Sequence, residues 1–210
     1  TKYGIVIYAN DFKLDNHPVI GKKPDYKRLE HLSEKGILLL ITDSLYSNVD
    51  AKTPSEKVAR EMLKDVILGT RNHDNLIIVT TFSSHIARLK SIIEFGRMLS
   101  RKVVFLGRSL FKYVTAAEKV GLVNFSKEVE LIGFRSLVEK KLRQIEKEGR
   151  SNYLIVCTGH QGEPDAILSR IANKKDIHFE LLPNDIVIFS CKTIPTEMTI
   201  KNRENLEERR

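Results

Sequence analysis

The sequence holds few of the features that announce a compartment or a cofactor. Its two cysteines, Cys157 and Cys191, have no CxxC partner, which argues against a disulfide framework or a cysteine zinc site and leaves reduced, buried thiols as the expectation. No apolar run approaches the roughly 20 residues that span a bilayer. The N-terminal TKYGIVIYAND lacks the charged, apolar and small-residue regions of a signal peptide. Membrane and secretory classes are therefore set aside, and a cytoplasmic chain is expected. Neither GxGxxG nor GxxxxGK[ST] occurs, which disfavours nucleotide-cofactor binding of the ordinary kind. The closest histidines, His73 and His85, lie 12 positions apart, so no HxH, HxxH or HxxxH pair can clamp a metal from one loop or helix turn. The chain alone is not expected to assemble an ordinary hydrolytic zinc centre. A triad from Ser83 or Ser84, His85 or His160, and Asp43 finds no G-x-S-x-G elbow to support it.

What is present is an α/β pattern with a basic balance. The 210 residues are 41% hydrophobic and 30% charged, with a formal net charge of +8, enough for a sizeable core and a surface that attracts polyanions. Basic residues cluster at 22–28, 101–112, 140–150 and 201–210; solvated helix faces and a frayed tail account for part of them. Apolar runs recur at Ile5–Tyr8, Ile37–Ile41, Leu76–Thr80, Val103–Leu106, Tyr153–Cys157 and Ile186–Ser190. Runs without polar alternation predict strands covered on both faces, hence a parallel sheet. Between them, 55–68 places Val58, Met62 and Val66 on one helix face, 84–99 places Ile86, Leu89 and Ile93 on another, and 138–145 repeats at helical spacing. A short helix is expected near 25–32, and Thr53-Pro-Ser-Glu56 reads as a helix start. From about residue 70 the order β-α-β-α-β-α-β predicts a Rossmann-like layer sandwich. A change of layer is placed near 47–54.

Ligands bind at strand ends in such sheets, where loops and helix N-termini converge. The distinctive ends are Asn10–Lys13, Thr42–Ser44, Thr80–His85, Gly107–Ser109 and the loop Gly159-His-Gln-Gly-Glu163. Asp11 and Asp43 also have a plain reading as strand-end caps.

The segments ANDFKLDNHPV, LLLITDS, TPSE, TTFSSHIARLKSI, VVFLGRSL, VCTGHQGEPDAILSRIA, IPTE and NRENLE, in this order and over essentially the whole chain, resemble the ribonuclease J family, archaeal type. That family lies in the metallo-β-lactamase superfamily and carries an inserted β-CASP domain. The resemblance implies a partial metallo-β-lactamase segment at 1–48 and a β-CASP domain at 49–210, in a parent enzyme that hydrolyses RNA with a pair of zinc ions, by 5′-to-3′ exonucleolytic and also endonucleolytic cutting. Asp11 matches the aspartate that bridges the two metals, although Asn10 stands where the family has glycine. Asp43 matches the acid that opens the β-CASP region and orients a metal-site histidine. The family's HxHxDH segment and later histidine motifs have no counterpart in the sequence, so the zinc site is expected to be incomplete and this piece inactive by itself.

In that light the loops read as walls of a channel for single-stranded RNA. Ser83, Ser84, His85 and Arg88 open a helix, with Arg108 and Ser109 one strand over; hydroxyls, guanidinium groups and helix-end amides suit a phosphodiester. Phe82 or His85 offers a base-stacking face, Phe82 being equally suited to the core. Lys112, Arg101 and Lys102 are expected to add salt-sensitive attraction. Gly159 and Gly162 are expected to let RNA approach the backbone closely, and a helix starting near Pro164 to present free amides, so that this loop contacts sugar and phosphate. His160 is expected either to contact RNA or to be hydrogen-bonded within its loop, and Glu163 either to cap the helix or to orient Arg108. A homodimer is compatible with the parent. The competing reading is a non-catalytic nucleic-acid or nucleotide-binding Rossmann-like module.

Overall fold

The computed structural model describes residues 1–44, 46–69, 75–173, 179–194 and 196–208. His73, Pro195 of the IPTE segment and the last two residues of the basic tail lie outside the described residues. The chain divides into two compact units, Thr1–Ala59 and Arg60–Arg210.

In the first unit, β1 (Ile5–Ala9) and β2 (Ile37–Thr42) pair in parallel with Tyr8 opposite Ile41. The crossover carries α1 (Tyr26–Glu34), whose first turn is capped by the Asp25 carboxylate accepting the Arg28 amide at 3.0 Å. Ser55 precedes α2 (Glu56–Gly69). The start of α2 is held by an aspartate from far back in the chain. Asp15 accepts the Ser55 hydroxyl at 2.6 Å, the Glu56 amide at 2.7 Å and the His17 amide at 2.9 Å. Burial pushes the Asp15 carboxyl up, but these donors and Lys13 outweigh it and bring it down to about 2. β1 and β2 are not covered on both faces: Ile37 to Ile41 are 39–60% exposed, because the described residues of this unit supply one crossover helix, α1, which buries no residue.

The second unit contains, among the described residues, β3 (Ile77–Thr80), α3 (Ile86–Met98), β4 (Lys102–Leu106), α4 (Arg108–Lys119), β5 (Glu130–Ile132), α5 (Arg135–Glu148), β6 (Tyr153–Cys157), α6 (Ile167–Ala172), β7 (Ile186–Phe189) and α7 (Glu197–Glu207). All five strands are parallel, in the order β5-β4-β6-β3-β7. Alternate strand residues feed two cores. Ile77, Val79, Val103, Phe105, Leu154 and Val156 pack with α2, α3 and α4 on one face. Ile78, Val104, Leu106, Tyr153, Ile155 and Cys157 pack with α5, α6 and α7 on the other. Both cysteines are free thiols; Cys157 is fully buried, and burial raises it to about 12, whereas Cys191 is only part-buried.

The expected strands all form. α4 and β5 are additions to the expected order, and α2 turns a different face inward. Leu63 and Ile67 are buried, while Val58, Met62 and Val66 are 47–64% exposed. The helix carries two apolar stripes, and periodicity does not choose between them. Arg101 and Lys102 lie at the N-terminal end of the sheet, away from the loops that follow the strands. Arg101 is buried and donates to the carbonyls of Asn75 and Tyr153 at 2.6 and 3.0 Å, and Lys102 pairs with Glu148 at 3.1 Å. They fasten strand starts and do not line a channel at the strand ends.

Candidate functional site

The topology of the second unit opens crevices at the ends of its strands. The crossovers β3→β4→β5 run through α3 and α4 on one face, and β5→β6→β7 return through α5 and α6 on the other. β4 and β6 are neighbours, so the chain leaves their ends toward opposite faces, the arrangement in which open α/β sheets bind ligands. A cavity of about 610 Å³ lies there, its lining including Ser83, Arg108, Ser109, Arg135, His160, Glu163, Asp165 and Arg170 together with Gly107, Gly133 and Thr158. It is large enough for a nucleotide.

Each wall follows from its element. Gly107, at φ +128, turns the chain from β4 into α4 and donates its amide to the Ile132 carbonyl at 2.8 Å, tying the ends of β4 and β5 together. Arg108 and Ser109, both exposed, occupy the first turn of α4; Arg135 opens α5 and pairs with Glu139 at 3.4 Å. Arg170 reaches in from α6, with Glu139 at 3.8 Å. Guanidinium groups of Arg108, Arg135 and Arg170, with the Ser83 and Ser109 hydroxyls, thus meet at one cavity beside the first turns of α4 and α5; Glu139 offsets Arg135 and Arg170, and the guanidinium and helix-end donors suit a phosphate-bearing ligand.

The loop after β6 is fixed from behind. Gly162 is left-handed at φ +72, and a β-carbon there would overlap the backbone of Asn202 in α7. Gly159, at φ +122, would meet the Leu168 β-carbon at 2.8 Å. The close approach these glycines permit is to the protein's own helices. Arg203 of α7 donates to the His160 carbonyl at 2.7 Å, and its guanidinium carbon lies 3.3 Å from the centre of the Phe189 ring at the end of β7. Gln161 bridges to the segment after β7, donating to the Lys192 carbonyl at 3.0 Å and accepting the Ile194 amide at 2.9 Å. The Glu163 carboxylate accepts the Gln161 amide at 3.1 Å, a bond that closes its own loop. α6 begins at Ile167, three residues beyond Pro164.

His160 is 5% exposed, its ring stands edge-on to Phe82 at 4.1 Å, and neither ring nitrogen has a hydrogen-bond partner among the described residues. Burial lowers its pKa below the ordinary 6.5, Glu163 pulls the other way and Arg203 adds to the lowering. The imidazole is therefore held toward its neutral form.

Of the residues singled out from the sequence, Ser83, Arg108, Ser109, His160 and Glu163 meet at the cavity. Ser84 and His85 lie just before α3, with His85 at its N-cap. Arg88 turns to β7, donating to the Ser190 carbonyl and hydroxyl at 2.8 and 2.7 Å. Arg135, Asp165 and Arg170 were not anticipated; Arg135 follows the end of β5, and Arg170 sits on the first helix after the glycine loop. Asp11 and Asp43, in the first unit, follow β1 and β2 at the same end of that parallel pair, and both are exposed. Among the described residues no three metal-type side chains converge, so Asp11 and Asp43 do not themselves make an ion-holding set.

A family model described as "Ribonuclease J, beta-CASP domain" matches residues 74–205. The chain belongs to the ribonuclease J β-CASP family. Proteins named Ribonuclease J are similar to it along its length. That of Methanocaldococcus jannaschii is 44% identical over 210 residues, 100% of this chain and 46% of the relative. That of Pyrococcus abyssi is 41% identical over 207 residues, 99% and 45%. That of Helicobacter pylori is 34% identical over 195 residues, 93% and 26%. The chain thus spans about half the length of the first two relatives. The resemblance read from the motifs holds at the level of family, and the parallel α/β architecture agrees with it. No helix among the described residues is long and apolar enough to cross a membrane.

Proposed function

We propose that the second unit is the RNA-guiding part of a ribonuclease, and that its switch-point cavity binds the sugar-phosphate backbone of single-stranded RNA. The observation that carries this reading is the convergence of Arg108, Arg135 and Arg170 with Ser83 and Ser109 at the start of α4 and α5. Guanidinium groups take phosphate oxygens, and hydroxyls supply further donors without reading sequence.

Hydrolysis belongs to the proposal for the parent enzyme: zinc-dependent cleavage, with 5′-to-3′ exonucleolytic trimming as its main mode. Support comes from the family and from Asp11 and Asp43 at the ends of β1 and β2. The described residues do not make a complete metal site. The chain with added zinc is accordingly expected to leave RNA intact; metal-dependent cleavage surviving rigorous nuclease controls would show the site to be complete.

Fluorescence anisotropy with a labelled single-stranded RNA tests the binding claim, with a dinucleotide cofactor as the competing ligand. RNA is expected to bind with an affinity that falls as salt rises. Arg108→Ala should lower that affinity by roughly 3- to 10-fold and reduce the salt slope by about one, while Lys147→Ala on the exposed side of α5 should do neither. Tight, salt-insensitive binding of the cofactor, or equal losses at Arg108 and Lys147, would overturn the reading.

A further inference from the structure

Beside the cavity, on the β5 edge of the sheet, two phenylalanines stand out of the core. Phe134, at the N-cap of α5, is 67% exposed, and Phe111 on α4 is 36% exposed. Their rings lie 6.3 Å apart and tilted by 51°. Leu137, one turn along α5, is 49% exposed and continues the patch. Burial of one such side chain contributes about 1.5–3 kcal/mol, so aromatics left outside a well-formed core point to a ligand face.

The position of this face is fixed by the same turns that build the cavity. Gly133, which lines the cavity, precedes Phe134, and a β-carbon on Gly133 would come within 2.9 Å of Phe111. Phe111 and Lys112 follow Arg108 by three and four residues on α4, so all three share one side of that helix. Arg108 and Lys112 are exposed, and Arg135 directly follows Phe134. The nearest helical carboxylate on α5, Glu139, is engaged by Arg135 at 3.4 Å. Aromatic faces flanked by cations are complementary to a single-stranded polyanion whose bases are free to stack. A second copy of the chain would bring the same cations together instead.

We propose that Phe134 and Phe111 form a base-stacking platform that extends the RNA track from the cavity across the β5 edge, with Arg108 and Lys112 holding the adjoining phosphates. The platform rests on the RNA reading above and adds a site for bases to one for phosphates.

The test separates the two by using an oligoadenylate RNA and an abasic ribose-phosphate strand of equal length. Phe134→Ala, a change at an exposed ring, should lower affinity for oligoadenylate by roughly 5- to 100-fold, from the worth of one stacked base. It should leave the abasic strand and the salt slope unchanged, and circular dichroism should match the parent chain. Phe134→Trp should keep the affinity, and because the sequence has no tryptophan, its fluorescence should be quenched by oligoadenylate alone. Unchanged oligoadenylate affinity in Phe134→Ala and Phe111→Ala, with loss in Arg108→Ala, would overturn the platform and leave the RNA reading standing. Failure of the parent chain to bind either strand would overturn both. Self-association in sedimentation velocity that Phe134→Ala abolishes, with RNA affinity unmoved, would make the patch a protein contact and overturn the platform.

Discussion

Two strands of this chain, β2 and β6, are uninterrupted apolar runs, and they sit in opposite environments. In β6, Tyr153 to Cys157 are all 0% exposed, flanked by β4 and β3 and covered by helices on both faces. In β2, Ile37 to Ile41 are 39–60% exposed, paired on one side with β1 in a sheet of two strands. An apolar run states that a strand has two faces to cover; the covering comes from elsewhere in the chain. The second unit contains its own cover and the first, within Thr1–Ala59, has no buried hydrophobic residue among those described.

The largest effect that sharpens this contrast is in the core. Ile155→Ala should cost about 2–5 kcal/mol in chemical denaturation, whereas Leu39→Ala should cost less than about 1 kcal/mol. Equal losses would break the comparison. Left-handed glycines offer a second contrast. Gly162→Ala combines φ +72 with an overlap on α7 and should cost about 1–3 kcal/mol, with weakened RNA binding; Gly21→Ala, at φ +84 with open space around it, should cost about 1 kcal/mol and leave binding alone. Similar values at both positions would mean that the α7 contact does not fix the loop.

Acid titration gives the smallest effect, with different windows in the two units. The folded pKa of His160 lies below its ordinary 6.5, so the unfolded chain binds more protons there and stability declines as pH falls below 6.5. His160→Gln should flatten that slope. Asp15, held at about 2 against an ordinary 3.8, contributes stability that is complete above 3.8 and fades as pH falls through 2; Asp15→Asn should lower stability above 3.8 and remove that acid-range slope. Denaturation midpoints across pH check both, and a His160→Gln profile identical to the parent's would contradict the buried neutral imidazole.

The parallel fold was legible in the sequence because β3, β4, β6 and β7 are dense in Ile, Val and Leu and carry no alternation. β5 escaped notice: three residues, ELI, are too few for a pattern. α4 left a usable signal in Leu110, Val114 and Ala117, spaced for one helix face and all buried. At the site, strand-end position identified Ser83, Arg108, Ser109, His160 and Glu163. Arg135 and Arg170 needed the strand order, since only the placement of β5 beside β4, and of α6 across the sheet from α4, brings them to the same cavity. The inward turn of Arg88 and the burial of Arg101 were likewise unreadable, because a sequence shows a charge without showing which carbonyls lie within its reach.

Amide chemical-shift mapping with a single-stranded RNA tests the central claim most directly. The largest changes are expected at Gly107–Ser109, Gly133–Arg135 and Thr158–Glu163, three loops far apart in sequence that meet at the β4–β6 crevice. Changes confined to the outer lysines of α5 or spread over the basic surface, with those three loops unmoved, would contradict it.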